Sequence, residues 1–87
     1  MKLKDLRDQI DELDEQLVRI LARRFVLVKQ IKVAKKTEGL PVLDKKREKF
    51  ILQKLKTLSH KHGISYRILK KVFSVIFKES KALQDKI

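Results

Sequence analysis
Apolar residues recur through the first part of the chain at a spacing that alternates three and four. Leu3, Leu6, Ile10, Leu13, Leu17, Ile20, Leu27, Ile31 and Ala34 form a heptad seam. The pattern predicts a helix over about 3–37. Gly39 ends it and Pro41 keeps it from resuming, so 38–43 reads as a loop. A second helix is expected over about 44–62. Asp44 stands as its N-cap, Glu48 lies early near its positive end, and Ile51, Leu52, Leu55 and Leu58 make its stripe. Gly63 closes it. Ser65 can cap a third helix over about 65–85, striped by Leu69, Val72, Phe73, Val75 and Ile76, then Ser80, Leu83 and Ile87. No segment shows strand alternation or an internal repeat. The expected fold class is all-α, three helices per chain in a single domain over 1–87.

The first helix is too long for its own domain. About 35 residues at a rise of ~1.5 Å span ~52 Å, whereas a compact chain of this size has a radius of gyration of only ~12 Å. The seam therefore continues beyond any core that one chain can build. A second copy of the same helix covers it most economically, which predicts an intertwined helical homodimer.

Composition narrows the chemistry. The 87 residues are 43% hydrophobic and 39% charged, enough for a modest core. Without cysteine there is no disulfide, thiolate nucleophile or Cys-held metal. His60 and His62 fall in a Lys-rich helix end and read as a solvated last turn, so no metal site is expected. Two glycines cannot build a phosphate loop or dinucleotide motif. No cofactor is expected. The sequence contains no stretch of the length and apolarity of a membrane span, and the N-terminus has no apolar signal core; a cytoplasmic protein without membrane association is expected. The net charge of +12 favours anionic partners of any kind.

The residues that interrupt the apolar faces are Arg24, Lys35, Glu48, Ser80 and Gln84. Arg24 occupies the 3-10-17-24-31 row of the seam, where a charge is costly unless paired or liganded. Singly, each of these has an ordinary structural explanation, a snorkelling stem or an exposed helix end. Together they describe a site. Arg24 and Lys35 are eleven residues apart and share a helix face, ~16 Å along the axis, so their tips can hold one small ligand. Arg7 borders the seam ~25 Å from Arg24, too far to join that site on its own helix. In an antiparallel dimer it can reach the site of the other chain. Such a site lacks a nucleophile; it can clamp carboxylates, orient a flexible molecule and stabilise developing charge.

Three blocks resemble the all-helical class of chorismate mutases. LRDQIDELDEQLVRILARR is similar to that family's opening helix, PVLDKKRE to its loop into the second helix, and FKESKALQ to its third-helix pattern with Ser four before Gln. The blocks occur in order, at matching spacing, over nearly the whole chain. The resemblance implies conversion of chorismate to prephenate by a [3,3] rearrangement, in the biosynthesis of phenylalanine and tyrosine. It also implies roles. Arg24 and the partner subunit's Arg7 bind the two substrate carboxylates, helped by Ser80. Lys35 and Gln84 donate to the ether oxygen. Glu48 accepts from the ring hydroxyl, with Asp44 beside it, and Arg47 supports the charge network.

Two alternatives stand beside this reading. An isochorismate pyruvate lyase shares the fold and a similar pocket, but the intact Arg47–Glu48 pair favours the mutase. A basic helical module binding nucleic acid would account for the +12 charge. Against it, the lysines spread over all three helices, and four Phe and one Tyr offer little for base stacking.

Overall fold
The computed structural model describes residues 1–41 and 45–85 and contains three α-helices. Helix α1 runs Leu3–Glu38, α2 Lys45–His62 and α3 Tyr66–Asp85. The expected capping role of Asp44, and Ile87 at the end of the α3 stripe, lie outside the described residues. α1 extends one residue past its expected end because Glu38 still holds helical geometry. The break falls on Gly39, whose φ of 70° is the left-handed conformation that spares glycine a Cβ clash. There the Leu40 N–H donates to the Lys35 carbonyl at 2.8 Å and the Gly39 N–H to the Lys36 carbonyl at 3.3 Å. α2 ends in the same way: Gly63 has φ 65° and the Ile64 N–H reaches the Ser59 carbonyl at 3.2 Å. At the start of α3 the Ser65 carbonyl accepts from Ile68 and Leu69, so Ser65 occupies the N-cap position.

α3 is the central helix. Among the described residues it packs against both α1 and α2, while no Cα of α1 comes within 8 Å of one in α2. The core at this junction takes one side chain from each helix: Val28 (7% exposed), Leu55 (3%) and Ile76 (8%). Leu69, Phe73 and Phe77 are half-buried around them, with the Phe73 and Phe77 rings edge to face at 6.0 Å. Val72 and Val75, expected in the α3 stripe, are exposed instead. That apolar face is wider than the surface α1 and α2 present to it.

The molecule measures 55 × 25 × 16 Å, with a radius of gyration of 16.2 Å. The excess over a compact chain comes from α1, in which every residue from 3 to 20 is exposed. Seam residues that would normally be buried stand open, among them Leu17 at 59% and Ile20 at 61%. Charge divides along the same line. Residues 1–15 hold six acidic and three basic side chains, whereas the remainder of the chain is strongly basic.

Candidate active site
Separation of α1 from α2, with α3 between them, leaves a partly open cleft of about 380 Å³. This is within the usual size range for a small-molecule site, ~300–1,000 Å³. Its walls are amphipathic. Leu27, Val28, Ile31, Ile51 and Phe77 supply apolar surface, and Arg24, Lys35, Arg47, Glu48, Ser80, Lys81 and Gln84 supply polar groups. Among the described lining residues, four cations face one carboxylate, an excess of positive charge that favours an anion.

Arg24 has side-chain contacts of its own at the cleft. Its guanidinium Nη1 donates to the Ser80 hydroxyl oxygen at 3.2 Å, and its Cζ lies 6.0 Å from the Phe73 ring centre. The Ser80 hydroxyl donates its own proton to the Ile76 carbonyl at 2.7 Å. Ser80 is thus an acceptor towards the cleft and steadies Arg24. Burial lowers the Arg24 pKa from its ordinary value, and the nearby positive charge of Arg47 lowers it further. Both effects disfavour the cation, and the opposite charge of a bound carboxylate would offset them. The side chain remains a guanidinium at any working pH.

Glu48, in the first turn of α2, is paired with Lys81 of α3, Nζ to Oε1 at 3.0 Å. Arg47 lies over the Phe50 ring, 5.1 Å from its centre. Lys35 is in the last turn of α1, where the negative end of the helix dipole favours a cation. Gln84 lines the cleft one turn beyond Ser80.

The structure brings six sequence-singled residues to this one cleft: Arg24, Lys35, Arg47, Glu48, Ser80 and Gln84. Arg7 is not among them; it is exposed on the projecting half of α1. Asp44 lies outside the described residues. Sequence reasoning missed Lys81 and the aromatic wall of Phe77. One cue to Lys81 was present: it stands three residues before Gln84, hence on the same side of α3. His60 and His62 are exposed at the end of α2, away from the cleft.

Residues 6–85 match chorismate mutase type II. The chain belongs to this family. Chorismate mutases are isomerases of aromatic amino acid biosynthesis, and the type II class shares the all-α architecture seen here. Among curated relatives, a chorismate mutase of Methanocaldococcus jannaschii is 34% identical over 83 residues, 95% of this chain and 84% of that protein. The T-protein of Haemophilus influenzae is 39% identical over 80 residues, and the bifunctional chorismate mutase/prephenate dehydratase of Escherichia coli is 35% identical over 75. The chain spans only about a fifth of those two proteins, 21% and 19% of their lengths. Nothing in these relatives favours a lyase or a nucleic-acid module. No helix among the described residues is long and apolar enough to cross a membrane.

Proposed function
We propose that the cleft binds chorismate as a dianion and rearranges it to prephenate without a covalent intermediate. The observation that carries this reading is the convergence of Arg24, Lys35, Arg47, Glu48, Ser80 and Gln84, from three helices, on one cleft rich in positive charge. One C–O bond breaks as one C–C bond forms, and no proton changes hands, so neither a nucleophile nor a general base is needed. Holding the substrate in its compact reactive form removes an entropic cost. A guanidinium anchored by Ser80 suits a carboxylate better than a mobile ammonium. The ether oxygen gains negative charge as its bond stretches. Lys35 and Gln84 are assigned to that oxygen, so their hydrogen bonds strengthen at the transition state. Glu48 accepts from the ring hydroxyl, and Asp44 and Arg47 complete the polar surround.

The second carboxylate is assigned to Arg7 of a partner subunit. An antiparallel homodimer would cover the exposed seam of α1 and carry each Arg7 towards the other chain's cleft. The acidic first turns of one protomer would then lie along the basic body of its partner.

The test is loss of chorismate absorbance on adding purified protein, followed by Lys35→Ala and Gln84→Ala. Each variant is expected to lose about 10²–10³ in kcat, as when a charge-stabilising donor is removed. No turnover at micromolar protein would refute the activity. Intact kcat in both variants would refute the assignment of these donors.

A further inference from the structure
The mechanism above leaves one cation of the cleft without a task. Lys81 reaches across from α3 to Glu48 on α2, 3.0 Å between Nζ and Oε1, and both side chains are partly shielded from solvent. The pair stands between two cavities. On one side is the 380 Å³ cleft, and on the other a shallower hollow of about 370 Å³ lined by Glu48, Ser74, Phe77, Lys78, Lys81 and Ala82. Glu48, Phe77 and Lys81 border both. The ion pair is therefore a wall between them, and the Glu48 carboxylate is turned towards α3 by a group outside the helix that carries it.

We infer that Lys81 is a positioning residue for Glu48, an assignment that rests on Glu48 being the acceptor for the ring hydroxyl. Two physical problems meet at Glu48. Its side chain has three rotatable bonds and starts from the first turn of a helix, so by itself it holds no fixed place in an open cleft. It is also the one negative charge among the described lining residues of a cleft that must admit a dianion. Lys81 answers both. It restrains the carboxylate oxygen at one point and cancels its charge towards the incoming substrate, while the second oxygen keeps its lone pairs for a hydroxyl donor. Both effects act on the ground-state complex as much as on the transition state, so they belong to KM rather than kcat.

The test is a double-mutant cycle of Lys81→Met with Glu48→Gln, assayed with chorismate. Methionine keeps the length and packing of the stem and removes the charge. Lys81→Met alone is expected to raise KM about tenfold with kcat within about twofold of the parent, and Lys81→Arg to restore KM. In the Glu48→Gln background, Lys81→Met should change KM by less than about twofold, because the charge it served is gone. An unchanged KM in Lys81→Met overturns the inference, as does an equal change in both backgrounds or a Glu48→Gln variant as active as the parent. Melting temperatures of all four proteins separate a structural effect, which would lower stability without coupling the kinetic constants. The ether-oxygen assignment is tested separately at Lys35 and Gln84, so its failure would leave a coupled Lys81–Glu48 pair standing.

Discussion

Arg24 and Ser80 are bonded in one direction only: the guanidinium donates at 3.2 Å, and the hydroxyl has already given its proton to the Ile76 carbonyl. The serine thus acts on an anion through the arginine. Ser80→Ala removes the acceptor and leaves Arg24 its contact with the Phe73 ring. KM for chorismate should rise about tenfold, the scale of one hydrogen bond to a charged group, with kcat less affected. A fall in kcat with unchanged KM would show that the hydroxyl contacts the reacting atoms instead.

Arg24→Lys places an ammonium where the guanidinium is now partly buried. Burial and the charge of Arg47 already lower the arginine's pKa, and the same two causes would press a lysine below its ordinary value of ~10.4. A lowered pKa means that the cation is lost earlier as pH rises. The variant's kcat/KM should therefore decline on the alkaline side at a pH where the parent holds steady. Parallel pH profiles of the two proteins would contradict this.

Arg7 is exposed on the projecting half of α1, and the proposed dimer gives it a carboxylate to bind. Arg7→Ala should raise KM strongly while sedimentation shows an unchanged assembly. A charge placed in the open seam, as in Leu17→Lys, should do the opposite: it should dissociate the assembly and remove activity with it. Specific activity of the parent should also fall on dilution below the dimer's dissociation constant. A monomer of full activity would overturn the shared site.

Leu55 is the most deeply buried side chain of the small core, at 3% exposure. Leu55→Ala should cost about 2–5 kcal/mol, a large part of the stability of a domain this size. Chemical denaturation followed by circular dichroism would measure it. A loss below ~1 kcal/mol would mean that α2 contributes little to cooperative folding.

Much of this arrangement was legible in the sequence because helix periodicity and glycine stops act locally. The seam of α1 and the shared face of Arg24 and Lys35 follow from rise and rotation per residue, and the stop at Gly39 from glycine's access to a positive φ. Arg24 stood out in the sequence because a charge in an apolar row needs a partner, and in the structure it lines the cleft and meets Ser80. What lay beyond the sequence is how helices face one another. Periodicity says which side of α3 is apolar, but not that α1 and α2 would leave Val72 and Val75 uncovered. It likewise places Lys81 near Gln84 without telling that α2 would bring Glu48 within 3.0 Å. Contacts between helices depend on crossing geometry, which no single helix encodes.

Gly39 has a consequence that reaches past its turn. A Cβ built on it would meet nothing within 4 Å, so a substitution there meets no neighbour and suffers only from its φ of 70°. Relieving that strain unwinds the bond from Leu40 to the Lys35 carbonyl, and Lys35 is one of the cations that line the cleft. In a screen of random variants scored by growth without added aromatic amino acids, Gly39 should therefore register among the sensitive positions. It would do so without touching the substrate, as a punctuation mark on which the reach of a neighbouring lysine depends.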